Sequence, residues 1–300
     1  MKPLLIAGAL TGGALLAAQI VVPPAQTVPP PAQPQVQTPS EPSPVYRVTV
    51  VSRTTKAINY GHRTEPARID FKGTVLMPEA KGKATVESKR GAVQVSSKFE
   101  HVPPPTRFGP QYLTYVLWAI TPEGRPLNMG ELILDEDNEG KLKVTADLQS
   151  FAMIVTAEPY YSVTQPSGLV VMENSLRPGT RGRVEEVSAR YELMPPTEHV
   201  YQVNPPTYYE NGTKLPMDQY EAVLALYQAR NAIQIAQSQG ADQIARDSMD
   251  KAQQLYREAQ MQQDHRKDPK KVVMMARQAA QAAEDARLVA AKRRVPPPAE

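Results

Sequence analysis

The sequence predicts an all-β, immunoglobulin-like sandwich, followed by an α-helical hairpin built from three helical segments and preceded by a disordered proline-rich linker. Two observations support this prediction. Short β-type runs recur about every ten residues between residues 45 and 194, with turn residues between them, as in β-sandwiches. From Pro216 onward, alanine and other apolar residues recur at helical spacing instead.

The first 22 residues have the composition of an export signal. Lys2 precedes an uncharged and mostly apolar run at residues 4–22, and residues 15–18 (Leu-Leu-Ala-Ala) supply small side chains near a cleavage point. The alternative is an uncleaved membrane anchor, because a run of this length at about 1.5 Å per residue just spans a bilayer. A mature protein that still carried Lys2 at its N-terminus would contradict cleavage.

Residues 23–44 form the predicted linker, with nine prolines among 22 residues and a single charged side chain, Glu41. Such a segment has too few apolar side chains to bury a core, and it favours the extended polyproline II conformation. We expect it to hold the folded part of the chain away from the membrane or the export site.

The predicted β-sandwich domain covers residues 45–194 and contains ten candidate strands, at residues 46–52, 68–76, 83–88, 93–99, 113–120, 131–135, 141–145, 151–157, 169–173 and 184–192. Residues 116–120 and 153–155 are continuous apolar runs, which indicate central strands buried on both faces. Trp118 is the only tryptophan of the chain. It lies in the first of these runs, and we expect it to anchor the core rather than to stack on a ligand.

The acidic stretch at residues 135–140 resembles the start of an EF-hand calcium loop, with Asp135, Asp137 and Gly140 in place. The twelfth position is Ala146, where a calcium loop needs a bidentate glutamate, and the flanking residues have the pattern of strands. The sequence therefore favours an acidic hairpin turn over a metal site.

A turn-rich linker at residues 195–215 leads into a predicted Ala-rich helical domain at residues 216–294, and a proline-rich tail occupies residues 295–300. Gly240 suits a left-handed C-cap between the first two helices. Asp268 and Pro269 suit the N-cap and the first helical position of the third helix. The residues themselves thus delimit three helices.

Each predicted helix carries one coiled-coil-like seam of mostly small apolar residues: Ala222, Leu226, Ala229, Ile233 and Ala236; Ala245, Met249, Ala252, Tyr256 and Ala259; and Val272, Ala276, Ala279, Ala283, Ala286 and Ala290. Alanine seams allow helices to approach closely but bury little apolar area. We therefore expect the helical domain to need a partner or self-association.

The composition argues against several chemistries. The chain has no cysteine, which excludes disulfides, thiolate metal sites and cysteine nucleophiles. Its four histidines are scattered, and the motifs of serine hydrolases, nucleotide-binding loops and zinc proteases are missing. The net charge of +3 gives no strong footprint for nucleic acid. We predict a non-enzymatic protein with no cofactor and no metal site.

Residues 83–173 resemble the extracytoplasmic β domain of anti-sigma-K-type factors. The similarity lies in residues 115–118 (Tyr-Val-Leu-Trp), 124–126 (Gly-Arg-Pro) with Gly130, 151–159, and 165–168 (Gln-Pro-Ser-Gly). The resemblance implies an immunoglobulin-like sandwich on the outer side of a membrane. It does not imply sigma-factor binding, because the chain lacks the cytoplasmic helical domain and the His/Cys zinc pattern of those proteins.

Residues 216–294 resemble the Ala-rich helical domain of unknown function found on bacterial outer-membrane-protein-A-like envelope proteins. The matching stretches begin at Ala229, Ala252 and Ala276, and they include the turn at residues 240–241. In that family the helices often precede a peptidoglycan-binding domain. The sequence has no such module after residue 294, so that activity is not carried over.

Together these features predict a non-enzymatic, exported protein of the bacterial cell envelope, located in the periplasm or associated with the outer membrane. Its helical domain would associate with itself, with another envelope protein or with peptidoglycan, and it would contact the membrane only through an uncleaved N-terminal segment. The alternative is a glycan- or peptide-binding module that acts through the sandwich loops. The candidate ligand-stacking residues are Tyr160, Tyr161, Tyr208 and Tyr209, which we expect to be exposed and whose rings could stack on a sugar. The alternative is that they are ordinary rim or edge-strand residues.

Overall fold

The structure, a computed structural model, describes residues 50–60, 65–89, 92–175, 184–192, 206–210, 212–265 and 268–294. All of these residues fall within the unit Tyr46–Glu300. The predicted signal segment, the proline-rich linker at 23–44 and the tail at 295–300 lie outside the described residues, as does the first half of the predicted linker at 195–215.

One antiparallel sheet of ten strands forms the larger part of the described structure: β1 (Val50–Asn59), β2 (Ala67–Gly73), β3 (Lys81–Lys89), β4 (Ala92–Glu100), β5 (Thr114–Ile120), β6 (Pro126–Leu132), β7 (Gly140–Ala146), β8 (Ser150–Glu158), β9 (Val170–Ser175) and β10 (Val184–Glu192). Their order is β10-β1-β8-β9-β2-β3-β4-β7, and β5 pairs with β8 and carries β6. The sheet is nearly barrel-shaped, and a bridge between Leu134 and Gly140 brings its β6 and β7 ends together.

The predicted strands are present among the described residues, and most of their boundaries agree within a few residues. The first strand reaches Asn59 instead of ending at residue 52. The sixth strand ends at Leu132, because residues 135–139 form a turn. The immunoglobulin-like sandwich is not confirmed, since all ten strands belong to one connected, nearly barrel-shaped sheet, in which β5 and β6 branch from β8.

Alternation along the strands sends every second side chain into the barrel interior. Leu117 of β5 and Val155 of β8 are fully buried there. Phe71 and Phe99 pack edge to face with ring centroids 5.0 Å apart. A Cβ atom on Gly82 would lie 2.6 Å from the Phe99 ring, so the aromatic packing requires glycine at this position.

The C-terminal part of the chain forms a layer of helices: α1 (Met217–Ser238), α2 (Ala241–Ile244), α3 (Arg246–Asp264) and α4 (Pro269–Arg294), preceded by a hairpin of β11 (Tyr209–Glu210) and β12 (Thr213–Lys214). Gly240 adopts the left-handed conformation with φ of 69°. The Asp268 carboxylate accepts hydrogen bonds from the backbone N–H groups of Lys270 and Lys271. Both predicted caps are confirmed. Within the described ranges, every helix is too short or too polar to cross a membrane.

The helices cover the outer face of β5 and β8. All seven residues of β5 are buried, which confirms the prediction of a central strand. Trp118, Val116 and Ile120 share one apolar cluster with the helices, and that cluster contains most of the predicted seam residues. The alanine seams therefore pack within this chain, and the sheet and the helices share a core.

Candidate functional site

A cleft of about 230 Å³ opens where the barrel meets the start of α1. Its walls come from the short 3-10 helix Pro105–Phe108, the neighbouring ends of β5 and β6, the segment before β11, and α1. Most of the lining side chains are apolar or aromatic. The full set of lining residues is Pro104, Pro105, Thr106, Leu113, Thr114, Tyr115, Leu132, Ile133, Leu134, Asn138, Pro206, Thr207, Tyr208, Tyr209, Tyr220 and Leu224. We call this site the tyrosine cleft.

Two stacked tyrosines form one wall of the tyrosine cleft. The rings of Tyr208 and Tyr220 lie with their centroids 4.0 Å apart. The Tyr208 hydroxyl donates a hydrogen bond of 2.6 Å to the backbone oxygen of Leu134. Burial, reinforced by Tyr220, raises the pKa of Tyr208 well above its ordinary value, so this hydroxyl stays a neutral donor. The bond ties the segment before β11 to the loop after β6 and fixes the orientation of the ring.

Tyr209 lies at the mouth of the tyrosine cleft and is 57% exposed. Its backbone is held by pairing with Lys214 in the β11–β12 hairpin and by a 2.8 Å hydrogen bond from the Thr207 hydroxyl to its carbonyl oxygen. Lys214 in turn forms an ion pair with Glu136 of the barrel loop. The ring of Tyr209 is therefore presented to solvent from a backbone that is anchored on both sides.

The polar side chains that line the inner part of the cleft have partners within the protein. The Thr114 hydroxyl donates to Glu131 Oε1 at 2.8 Å, and the Tyr115 hydroxyl donates to the backbone oxygen of Pro103 at 2.8 Å. Burial raises the pKa of Tyr115 strongly, which keeps its hydroxyl protonated. The surface offered to a ligand inside the cleft is consequently mostly apolar.

The other two candidate tyrosines lie between the sheet and the helices. The Tyr160 hydroxyl donates to Glu284 Oε2 at 2.6 Å, and Arg287 binds the same carboxylate through Nε at 2.6 Å. The backbone N–H of Thr164 donates to Glu284 Oε1 at 3.0 Å. Burial, reinforced by the charge of Glu284, raises the pKa of Tyr160 far above its ordinary value. Glu284 and Arg287 are 0% and 1% exposed, so this is a buried ion pair.

Tyr161 belongs to a second polar cluster in the same layer. Its backbone N–H donates to Gln228 Oε1 at 2.7 Å, and its ring lies 5.0 Å from the guanidinium of Arg277. Arg277 and Gln228 both bind Glu131, with Arg277 Nη2 2.7 Å from Oε2. Glu131 is also the acceptor for Thr114 of the tyrosine cleft. The cleft is thus connected to the interface between the sheet and the helices.

Glu158, on the helix-facing side of β8, is also fully buried. Trp118 Nε1 donates to the Thr156 hydroxyl at 2.7 Å, and that hydroxyl donates to Glu158 Oε1. The backbone N–H of Ser167 donates to the same oxygen at 2.7 Å. Oε2 has no hydrogen-bond partner among the described residues. Burial raises the pKa of Glu158 to about 8, although the bonds from Thr156 and Ser167 oppose this shift.

The structure therefore divides the four candidate stacking residues into two pairs. Tyr208 and Tyr209 come together with Tyr220 in the tyrosine cleft. Tyr161 is half-buried beneath Arg277. The expectation of an exposed Tyr160 ring is wrong, because the ring is 0% exposed and its hydroxyl is bonded to Glu284 of α4.

The acidic stretch at 135–140 forms a hairpin turn. The Asp135 carboxylate accepts hydrogen bonds from the backbone N–H groups of Asp137 and Glu139, and Asn138 adopts a left-handed φ of 61°. These bonds are those of an Asx turn. Among the described residues, no cluster of His, Asp or Glu side chains is placed to hold a metal ion.

Sequence reasoning missed four participants. Tyr220 lies in the first turn of α1 and nothing in the sequence links it to Tyr208. Glu131 is a strand carboxylate whose partners come from distant helices. Glu284 and Arg287 could have been recognised from the sequence as a buried ion pair. They are two opposite charges three residues apart, and they interrupt an alanine-rich stretch on the side that α4 buries. No known family model matches the chain, and no curated protein matches it either.

Proposed function

We propose that this chain is a non-enzymatic binding protein of the bacterial cell envelope, and that the tyrosine cleft holds an extended, proline-rich or aliphatic peptide segment of a partner. The lining of the cleft supports the proposal most directly. Grooves formed by aromatic side chains bind polyproline II peptides, which are already extended and lose little entropy on binding. The stacked pair Tyr208–Tyr220, the exposed ring of Tyr209, and the prolines at 104, 105 and 206 provide such a groove.

The dimensions of the cleft favour a peptide over a small molecule. Its volume of about 230 Å³ lies below the roughly 300–1,000 Å³ of small-molecule sites. One or two side chains of a peptide fit this space while the remaining residues lie across the rim. A sugar needs hydrogen-bonding groups, and the hydroxyls of Thr114, Tyr115 and Tyr208 already have partners within the protein. The glycan alternative is therefore the weaker one.

We assign the interaction role to the cleft rather than to the alanine seams. Ala229, Ala276, Ala283 and Ala290 are fully buried within this chain's own helical layer. Association through these seams would require the helices to separate from one another. The cleft needs no such rearrangement, because it is open in the folded chain.

The envelope location of this proposal rests on the sequence. It is supported by the apolar run at residues 4–22, by the proline-rich residues 23–44 and by the resemblances of residues 83–173 and 216–294 to envelope proteins. We retain these resemblances as support for the location. An immunoglobulin-like topology is not part of the proposal.

The experiment is a calorimetric titration of the full chain with a short synthetic peptide rich in proline and valine. We expect saturable binding, and Tyr209→Ala should weaken it by about fivefold or more, the usual effect of truncating an aromatic anchor. Tyr209 is largely exposed, so this change should leave the melting temperature unchanged. Met274→Ala is the matched control, because Met274 is a similarly exposed side chain on α4 outside the cleft.

Two outcomes would contradict the peptide proposal. Absence of saturable binding would remove the cleft as a peptide site, and equal weakening by Met274→Ala would show that the contact is not local. A parallel titration with soluble peptidoglycan fragments tests the alternative. If the fragments bind, their binding depends on Tyr209, and the peptide does not bind, then the cleft is a glycan-binding site.

A further inference from the structure

The sequence Val-Pro-Pro-Pro occurs three times in the chain, at residues 28–31, 102–105 and 295–298. The middle occurrence forms part of the tyrosine cleft, where Pro104 and Pro105 line the wall. Pro104 has φ of −53° and ψ of 139°, close to the polyproline II conformation. The Tyr115 hydroxyl donates to the backbone oxygen of Pro103. The fold therefore already packs one such segment against the aromatic side chains of the cleft.

The rim of the tyrosine cleft is acidic. Its exposed carboxylates lie on the loop after β6 and on β11, and they are Asp135, Glu136, Asp137 and Glu210. The cations beside them are Lys214, which pairs with Glu136, and Arg107 on the 3-10 helix. Glu139 of the same loop shares Lys98 with Glu100. Carboxylates thus outnumber cations on this rim, which favours a peptide that carries positive charge next to its prolines.

Of the two Val-Pro-Pro-Pro segments outside the described residues, the C-terminal one matches this rim. Lys292, Arg293 and Arg294 directly precede it. The segment at residues 28–31 lies within the proline-rich residues 23–44, whose single charged side chain is Glu41. Charge complementarity therefore favours the segment at 295–298 as the occupant of the cleft.

The helix α4 delivers that segment at the far end of the helical layer. α1 begins at the cleft, and α4 runs beside it in the same direction. Gln228 of α1 and Arg277 of α4 both bind Glu131, and further on Arg293 Nη1 donates to the backbone oxygen of Ile244, beyond the end of α1, at 3.2 Å. α1 has 22 residues and is about 33 Å long, whereas four residues span about 12 Å as polyproline II. The segment therefore lies out of reach of the cleft of its own copy.

We propose that residues 292–298 of one copy of this chain bind in the tyrosine cleft of a second copy. The prolines would pack on Tyr208, Tyr209 and Tyr220, and the preceding cations would face the acidic rim. This inference rests on the peptide-binding function proposed for the cleft, and it names the partner. Each copy carries one cleft and one such segment at opposite ends of α1, so the contact is heterologous and joins successive copies head to tail.

The test is sedimentation velocity of the full chain over a range of protein concentrations. We expect self-association that weakens as salt rises, because salt screens the charges at the rim. Changing Pro296→Ala, Pro297→Ala and Pro298→Ala together gives the tail variant, which should associate about fivefold or more weakly than the native chain. Tyr209→Ala should have an effect of similar size, since it truncates an aromatic anchor.

The matched control is Pro29→Ala, Pro30→Ala and Pro31→Ala, which makes the same change in an identical segment and should leave self-association unchanged. A second measurement mixes the tail variant with Tyr209→Ala. The tail variant keeps an intact cleft, and Tyr209→Ala keeps an intact segment. The mixture should therefore form a complex of two copies that neither variant forms alone.

The outcomes separate this inference from the proposed function. If the chain stays monomeric at concentrations at which the proline- and valine-rich peptide saturates the cleft, the inference is overturned and the proposed function stands. If the chain stays monomeric and the peptide does not bind, both are overturned. Self-association that is lost in the matched control instead of the tail variant overturns the inference in favour of residues 28–31. A mixture that forms no complex also overturns it.

Discussion

Glu158 has one carboxylate oxygen that accepts hydrogen bonds from Thr156 and Ser167, and a second, buried oxygen without a partner among the described residues. Desolvation of the charged form is the dominant influence on such a group. With its pKa at about 8, Glu158 is predominantly protonated at neutral pH in the folded chain. The side chain therefore acts as a neutral hydrogen-bonding group beneath the helices.

The pH dependence of stability follows from this raised pKa. The folded state binds the Glu158 proton more tightly than the unfolded state, whose pKa is near the ordinary 4.5. Its contribution to stability is therefore complete below about pH 4.5 and is lost as pH rises to about 8. We expect Glu158→Gln to gain stability relative to the native chain by no more than about 1.4 kcal/mol per pH unit across this window. Urea denaturation at several pH values measures the difference.

Glu79→Gln is the control for this measurement, because Glu79 is an exposed carboxylate in the turn between β2 and β3. Parallel stability profiles for the native chain and Glu158→Gln would contradict a buried, protonated Glu158. A pH-dependent difference of equal size in the Glu79 control would show that the effect is general rather than local.

At the residue scale, the sequence indicated which tyrosines could stack on a ligand, but it did not indicate which residues surround each of them in the fold. Tyr208 and Tyr209 lie among prolines and glycine, which indicated a surface segment, and both line the cleft. Tyr160 has a similar local sequence, yet it is buried because α4 supplies Glu284 as the acceptor for its hydroxyl and Arg287 as the partner of Glu284. Those partners lie more than a hundred residues away, so local sequence carries no information about them.

Among the elements, the helix ends have the clearest chemical cause. Gly240 follows α1 with φ of 69°, where a Cβ atom is unfavourable. We expect Gly240→Ala to destabilise the chain by about 1 kcal/mol, because alanine must adopt the left-handed conformation there. Thermal unfolding measures the change. Gln237→Ala, at an exposed position in the last turn of α1, should cause no loss, and equal destabilisation by both changes would contradict the explanation.

The approximate places of the ten sheet strands and of the three long helices could be predicted because period-two and helical patterns are local. The short helix α2 and the β11–β12 hairpin were not predicted. The path of the sheet could not, since the pairing of β8 with β1, β5 and β9 depends on contacts between distant residues. The predicted seams are buried apart from Ala245 and Tyr256, which are partly buried. α1 also buries Leu224, Gln228, Asn231 and Ile235 off its seam. A single seam per helix therefore underestimates the number of residues that a helix buries when it packs against both a sheet and other helices.

For the molecule as a whole, the shared core predicts a single cooperative unfolding transition. Trp118 is the only tryptophan, and it lies in the cluster that joins β5 to the helices. Its fluorescence should therefore change at the same denaturant concentration as the helical circular dichroism. Arg287→Met should move both curves together by about 3–5 kcal/mol, because it leaves Glu284 as a buried, uncompensated charge. Two separate transitions would contradict the shared core.

The pairing of β1 has a consequence for the order in which the chain folds. β1 pairs with β10 along its length, from Val50 opposite Glu192 to Ile58 opposite Val184, and with β8 only at its last two residues. A chain that emerges N-terminus first, from a ribosome or an export channel, delivers β1 long before either neighbour. The first of the described strands to appear is thus among the last to be paired. Until β10 arrives, its backbone is an open edge that can pair with other chains.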